Sequence, residues 1–488
     1  MQRPNTDQAL SIGKPIEDIT CDLCIIGAGS GGLSVAAAAA GFGQSVVLIE
    51  KHKMGGDCLN YGCVPSKALI AAGRRAHAMR TASPFGIANV EPTVDRAAVH
   101  GHVKSVIAAI APNDSVERFT GLGVRVIQAA GKFIDNSTVM AGETRIKARR
   151  FVIATGSSPA VPPIPGLADV SYFTNETIFD NQGLMPHLLI IGGGPIGMEL
   201  AQANLRLGSK VTVIEALTAL AKDDPELSVL VLRSLRDEGL EIREGAKVMR
   251  VDSAGGKVRV SVEIGGKAEV IEGTHLLVAA GRKPNISDLG LEAAGIKYDK
   301  RGVTVDRGLL TSNRKVFAIG DSIGGLQFTH VANYHAGIVI KRALFRLPAK
   351  ANNDIVPWVT YTEPELASVG VTETQAKERK IAYKVLRWPY HENDRAQAER
   401  TTHGHVKVIT DNRGVILGAG IVGEHAGELI QIWSLAVSQK MKIKAMTDWI
   451  SPYPTLGEIN KRAAYRYFAA FAGSPMVRKV IGLLKKLG

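Results

Sequence analysis

The sequence predicts an α/β fold of several domains, with two related βαβ units followed by an α+β region. Three observations carry that expectation. At 488 residues the chain exceeds what one hydrophobic core usually organises. A pattern of strand, glycine turn, helix, strand and acid occurs twice. Beyond residue 350 the pattern gives way to short β-branched strands separated by Gly and Asn turns, with helical segments after them.

In the first copy of the repeat, Leu23 to Ile26 run into Gly27-Ala28-Gly29-Ser30-Gly31-Gly32, an Ala-rich helical stretch follows, and Ser45 to Ile49 end in Glu50. In the second, Leu188 to Ile191 run into Gly192-Gly193-Gly194-Pro195-Ile196-Gly197, and Lys210 to Ile214 end in Glu215. The interval from first glycine to acid is the same in both, near the roughly 20 residues of a dinucleotide fold. Gly27 or Gly192 permits the tight turn, Gly29 or Gly194 lets backbone approach a pyrophosphate, and Gly32 or Gly197 allows close helix packing. Glu50 or Glu215 then accepts from a ribose. One such glycine motif is weak evidence, but two with matched strands and acids imply two Rossmann-like domains and two nucleotide sites.

An apolar strand ends in Ala154-Thr155-Gly156-Ser157-Ser158-Pro159 between the copies, and a similar one, Leu276 to Ala280 then Gly281-Arg282-Lys283-Pro284, follows the second. These read as exits from each nucleotide domain. In the third region, Pro357 to Gly370 and Val406 to Gly423 read as strands, with helical stretches near 426–446 and 457–472. The expected division is an N-terminal extension 1–19, a first nucleotide domain 20–165 completed by 283–350, an inserted second nucleotide domain 166–282, the α+β domain 351–472 and a basic tail 473–488.

Composition fits a Gly-rich soluble enzyme: 45% hydrophobic, 22% charged, Gly 52. The first twenty residues lack the pattern of a secretory signal and no run stays apolar for about 18 residues, so an intracellular, cytoplasmic protein is expected. The net charge of +13 favours anionic partners in general, but no nucleic-acid motif accompanies it, and it reads as solvation plus attraction for cofactor phosphates.

Four cysteines are too few for a secreted disulfide framework. The segment Gly55-Gly56-Asp57-Cys58-Leu59-Asn60-Tyr61-Gly62-Cys63-Val64-Pro65-Ser66-Lys67 is the most specific in the chain. On an ideal helix the Cys58-x4-Cys63 spacing rotates the two thiols about 140° apart, so a pair needs a distorted turn, which Gly62 and Pro65 can supply. Two inert buried thiols fit poorly among so many chain-breaking residues. A zinc site needs four ligands and no further Cys or His pair lies at ligand spacing, so no metal site is expected. Cys21 and Cys24 lie on the first strand, where residues three apart face opposite sides about 10 Å apart, and both read as packing residues.

The motifs GAGSGG, GGDCLNYGCVPSKAL, ATGSSP, GGGPIGMEL, VAAGRKPN, FAIGD and YTEPELASVG together resemble the flavoprotein disulfide reductases, the group that includes dihydrolipoamide dehydrogenase, glutathione reductase and mercuric reductase. The likeness spans roughly residues 20 to 470. It implies an FAD domain, an inserted NAD(P)H domain, and a C-terminal interface domain that makes a homodimer. It implies further that Cys58 is the interchange thiol facing substrate and Cys63 the charge-transfer thiol against the flavin. Lys67 would pair with Glu199 at the flavin's reactive edge, stabilising reduced, anionic flavin, and Asp321 would bind the ribityl chain. Lys51, Gly131, Thr155, Gly156, Val248 and Gly281 join the glycines and acids as cofactor contacts by the same likeness. NADH is favoured over NADPH, because Glu215 accepts from a 2′-hydroxyl but repels a 2′-phosphate, and no Arg follows in Ala216 to Ala221.

The sequence departs from the lipoamide and glutathione reductases at one place. Those are similar in carrying His before Pro-Thr and Glu five residues later, a general-base pair. Here the stretch is Tyr453-Pro454-Thr455-Leu456-Gly457-Glu458, and a phenol with a pKa near 10 is a poor base at neutral pH. Tyrosine at this place resembles mercuric reductases, yet their C-terminal cysteine pair has no counterpart after Cys63. The expected activity is therefore transfer from NADH through FAD to the Cys58–Cys63 disulfide and on to a disulfide, metal or other acceptor, small molecule or protein. Dihydrolipoyl dehydrogenase proper, a mercuric-reductase-like enzyme and a redox sensor without turnover are the alternatives. Finally, Ser474 and Pro475 open an amphipathic basic stretch, compatible with an anionic membrane surface or with docking on its own dimer.

Overall fold

The computed structural model describes residues 16–469 and 474–487. The expected N-terminal extension lies outside them up to residue 15, as does the end of the helical stretch expected to reach 472. The chain divides into two compact units. One comprises the described residues up to Asn60 with Ala109–Ser158 and Lys283–Ala351; the other comprises Tyr61–Ala108, Pro159–Arg282 and Asn352 onward.

The first unit is built on a seven-stranded sheet in which Val124–Gln128, Val46–Glu50, Glu17–Ile26 and Thr144–Ile153 lie side by side in parallel. Val316–Ala318 also runs parallel to Thr144–Ile153, and Gly131–Asp135 and Thr138–Ala141 complete the sheet as an antiparallel meander. The central strands are apolar on both faces because both are covered. On one, Leu23, Ile25 and Leu48 pack with the helices Ser30–Gly41 and Thr329–Ala343; on the other, Cys24, Ile26, Ile49 and Phe151 form a second cluster.

Cys21 and Cys24 are buried in that second cluster together, which corrects the expectation that they face opposite sides. The ladder to Thr144–Ile153 has a gap at Asp22. There the Asp22 amide donates to Ser45 instead, so the strict two-residue alternation is broken. Both remain packing residues: burial pushes the Cys21 thiol up to about 12 and that of Cys24 well above its ordinary value.

In the second unit, Glu241–Arg243, Lys210–Ile214, His187–Ile191 and His275–Val278 form a parallel four-stranded sheet. The helix Pro195–Arg206 follows its first strand, and Asp224 caps the helix Pro225–Asp237 by accepting from the Glu226 amide. Ala246–Ala254, Lys257–Ile264 and Lys267–Gly273 make a separate antiparallel meander. The helix Cys63–Arg80 runs close to Pro195–Arg206, with Gly73 set against Ala203 where an added Cβ would lie 3.3 Å from its carbonyl oxygen.

The α+β region is a five-stranded antiparallel sheet in the order Pro357–Thr360, Glu365–Gly370, Ile416–Gly423, His405–Asp411, Tyr383–Pro389. The strands read at 357–370 and 406–423 are present. Tyr383–Pro389 completes the sheet at its edge. Helices Ala426–Ser438 and Glu458–Tyr465 cover it, and the buried Trp433 donates its indole N–H to Asn460 Oδ1 at 2.7 Å. Among the described residues no helix is long and apolar enough to cross a membrane.

Candidate active site and cofactor cradles

The two glycine turns have the same construction. Gly27 and Gly192 adopt φ of +108° and +114°, and a Cβ there would lie 2.3 Å from Ala154 O and 2.5 Å from Ala279 O. Only glycine passes between the two strands at that point. A Cβ on Gly32 or Gly197 would lie 1.9 or 2.0 Å from the carbonyl oxygen of the first glycine, which fixes how closely the helix follows the turn. Gly29 and Gly194 cap the two helices without a side-chain cap, and neither helix has an acid in its first turn.

The acids close these turns. Glu50 accepts from the amides of Ala28 at 2.7 Å and His52 at 2.8 Å; Glu215 accepts from Gly193 at 2.7 Å and Leu217 at 2.9 Å. Each carboxylate thus ties the residue after the first glycine to the residue two beyond itself. A carboxylate has about four acceptor sites, so capacity remains for a ribose. Uncapped N–H groups at glycine helix starts, each beside an anchored acid, fit the pyrophosphate and ribose of a bound dinucleotide.

The remaining expected cofactor residues of the first unit gather at strand ends. Thr155 Oγ1 donates to Asn285 O at 2.6 Å, the Asn285 amide donates to Gly156 O at 2.9 Å, and Ser157 Oγ donates to Asp321 Oδ2 at 2.5 Å. The Gly320 amide donates to Nδ1 of His335 at 3.2 Å, and burial lowers His335 to about 4, so its imidazole is a neutral acceptor behind the Asp321 turn. Gly131 begins its strand against the ends of two others, where a Cβ would lie 3.2 Å from Ile26 Cγ2 and 3.3 Å from Ile49 Cδ1. Lys51 is exposed beside Glu50. In the second unit Val248 is half-buried in the meander, and Gly281, at φ +122°, has open space where a Cβ would stand.

The cysteine segment is a broken helix. Cys58, half-buried, lies in Gly56–Asn60, and exposed Cys63 is the first residue of Cys63–Arg80. Gly62, with φ −123° and ψ −112°, makes the break, and Pro65 falls in the first turn of the new helix, where its missing N–H costs nothing. One turn into that helix, Lys67 Nζ meets Glu199 Oε2 at 2.7 Å. Glu199 is buried on Pro195–Arg206 and its other oxygen accepts from the Tyr361 amide at 3.0 Å. Lys67 Nζ also lies 4.1 Å from the centroid of the Tyr361 ring, and burial, with Glu199 second, pushes the Tyr361 phenol up to about 12. Tyr361 is the first residue of the YTEPELASVG motif, and only the tertiary structure brings it to Lys67 and Glu199.

Tyr453 is 68% exposed, and its Oη donates to Asp394 Oδ2 at 2.8 Å. That carboxylate holds the phenol above its ordinary value. Glu458 is engaged by Arg462 at 2.8 Å, one turn along its helix. Tyrosine and glutamate therefore do not reproduce the base pair in which a carboxylate orients an imidazole: each has a different partner.

Comparison with known proteins places these cradles in a class. The description "Pyridine nucleotide-disulphide oxidoreductase" matches residues 21–336 and its dimerisation domain matches 356–464, and the chain belongs to this family. A mercuric reductase of Lysinibacillus sphaericus is 37% identical over 93% of this chain and 83% of its own length. A dihydrolipoyl dehydrogenase of Geobacillus stearothermophilus is 35% identical over 91% and 96%. Among solved structures, LpdA from Mycobacterium tuberculosis superposes with a TM-score of 0.85 at 27% identity, covering 92% of this chain and all of that one. The Cu(II) complex of the HOCl-induced flavoprotein disulfide reductase RclA from Escherichia coli does so at 0.81 and 28%, covering 90% and 99%. The protein is thus a flavoprotein disulfide reductase, an enzyme of an FAD-dependent family that uses pyridine nucleotides, and its dimerisation domain supports a homodimer.

Proposed function

We propose that this enzyme carries electrons from NADH to the Cys58–Cys63 pair and from there to a thiophilic metal ion rather than to lipoamide. The observation that carries the choice of acceptor is the hydrogen bond from Tyr453 to Asp394, which keeps the phenol protonated where a dithiol–disulfide exchange needs a base. Two thiolates bind a soft metal ion without such a base. Mercuric reductases are among the relatives, and one structural neighbour was solved with Cu(II).

Flavin, when bound, supplies the two-electron relay between nicotinamide and disulfide. The chain's own residues hold and bias it. The Lys67–Glu199 pair keeps one ammonium fixed, with Tyr361 against it, and by the family likeness this ammonium would supply the positive charge that stabilises reduced, anionic flavin. The Asp321 turn, held by Ser157 and His335, would hold the ribityl chain. The break at Gly62 frees Cys58 and Cys63 from one helical register, and reduction of their disulfide takes two electrons and two protons to give the dithiol. On the nicotinamide side, Glu215 stands at the end of the second strand, where its carboxylate opposes a 2′-phosphate. Glu244, after the strand Glu241–Arg243, steadies the same loop by accepting from the Ala219 amide at 2.9 Å and is itself paired with Arg236.

A panel of acceptors tests the reading, comparing NADH oxidation with Hg(II), Cu(II), lipoamide and glutathione disulfide in wild type and Cys58→Ser. Metal-dependent turnover lost in Cys58→Ser is expected. Lipoamide turnover exceeding that of every metal would overturn the choice of acceptor.

A further inference from the structure

We propose that the helix Pro475–Leu484 is a docking element for an anionic lipid bilayer, resting its apolar face at the headgroup boundary with its cations against the lipid phosphates. Ser474 stands at its N-cap and Pro475 at its first position. No residue of the helix is buried. Met476, Val480, Ile481, Leu483, Leu484 and Leu487 are each more than half exposed, Met476 and Leu487 at 74% and 79%.

At 100° per residue these six side chains occupy an arc of roughly 160°, and Arg478, Lys479, Lys485 and Lys486 occupy the opposite arc of roughly 120° without overlap. Such segregation on an exposed helix needs a surface that is apolar at one depth and anionic just above it. A bilayer with acidic headgroups has that layering. The helix is about three turns long and cannot span the roughly 30 Å hydrocarbon core, so it lies in the interface.

Charge decides between this occupant and a second copy of the chain. From Ile459 to Gly488 the sequence contains no Asp or Glu, and the whole chain carries +13. A second copy, itself carrying +13, offers such a segment no net electrostatic attraction, whereas an anionic leaflet attracts it, by roughly fivefold in affinity for each basic residue that reaches the surface. The inference does not depend on which acceptor the active site uses.

The test is co-sedimentation of the full-length flavin-loaded enzyme with vesicles of phosphatidylcholine alone and of phosphatidylcholine mixed with phosphatidylglycerol. Two variants accompany wild type: Ile481→Glu with Leu484→Glu, and Gln in place of Arg478, Lys479, Lys485 and Lys486. Flavin reduction by NADH in solution reports that each variant is folded and is expected to stay at the wild-type rate. Wild type should partition at least about tenfold better to the anionic vesicles, less so at high salt, and each variant should lose about tenfold or more. Equal partition to both vesicle types, or variants that bind as well as wild type, would overturn the proposal. So would variants whose only change is a smaller oligomer by light scattering, which assigns the helix to a subunit contact.

Discussion

Tyr453→His is the substitution that asks most of the site. The phenol is 68% exposed and its bond to Asp394 is a surface interaction, so replacing it should shift stability by less than about 1 kcal/mol. An imidazole at 453 would stand near Asp394, the present partner of the phenol, with Glu458 at the start of the helix that follows. Glu458 is held by Arg462 in an exposed i,i+4 pair, worth about 0.3–0.5 kcal/mol, so recruiting it costs roughly a factor of two in rate. A positioned general base contributes about 10² to 10⁴. The expected net gain in dihydrolipoamide oxidation is therefore on the order of 10²-fold, with a further factor of about two in Tyr453→His/Arg462→Ala. The gain should grow as pH rises through the imidazole's titration, since only the neutral ring accepts a proton. The assay is NAD reduction by dihydrolipoamide between pH 5.5 and 8.5, about the range over which histidine titrates, with flavin reduction by NADH as the control for integrity. An unchanged lipoamide rate with intact flavin reduction would show that the phenol is not what limits this substrate.

Three shorter predictions follow. Two-electron-reduced enzyme should show a long-wavelength absorption band from a thiolate beside the flavin, absent in Cys63→Ser; persistence of the band in that variant would remove Cys63 from the flavin-side role. NADH should reduce the enzyme faster than NADPH, and Glu215→Ala should narrow the ratio in stopped-flow measurements at equal concentrations; a wild type preferring NADPH would refute this. His335 is neutral in the fold with its pKa lowered to about 4, so the unfolded chain binds its proton first. The stability it contributes is complete above about 6.5 and is lost as pH falls from there toward 4. His335→Gln should flatten this part of the melting-temperature profile, and an unchanged slope would show that other groups set it.

The two nucleotide units were legible because local rules and the global fold agree there. Gly27 and Gly192 need a conformation that side chains resist, and each acid falls where the second strand ends, so chemistry and spacing mark the same residues. The broken helix between Cys58 and Cys63 was legible for a similar reason, since Gly62 and Pro65 act on their own neighbours. What escaped the sequence depends on partners far along the chain. Tyr361 reaches Lys67 and Glu199 only through tertiary structure. Asp394, the partner of Tyr453, lies in a different segment of the α+β region. The meander at 246–273 left a visible trace, since Lys257–Ile264 alternates polar and apolar residues with Val258, Val260 and Val262 buried, whereas Cys21 shares the face of Cys24 only because Asp22 leaves the ladder.

The matched geometry of Glu50 and Glu215 bears on how coenzyme choice is to be measured. Because each carboxylate accepts from two backbone amides, removing it leaves two donors without their acceptor, at about 1–3 kcal/mol for each that stays buried. On the proposed coenzyme role, Glu215→Ala therefore changes two things, the repulsion of a 2′-phosphate and the shape of the turn proposed to hold the pyrophosphate. A loosened turn weakens NADH and NADPH alike, whereas lost repulsion favours NADPH alone. Glu215→Gln disturbs the turn less: its one amide oxygen can still accept from Gly193 while the negative charge is gone, and only Leu217 loses its acceptor. If charge sets the preference, Gln and Ala narrow the NADH to NADPH ratio equally, and Ala raises both apparent KM values more than Gln does. If the Glu215 charge does not set it, Gln keeps the wild-type ratio. The second outcome would move the discrimination from the Glu215 charge to the rest of the loop it closes, which Glu244, at the end of the neighbouring strand, also holds by accepting from the Ala219 amide.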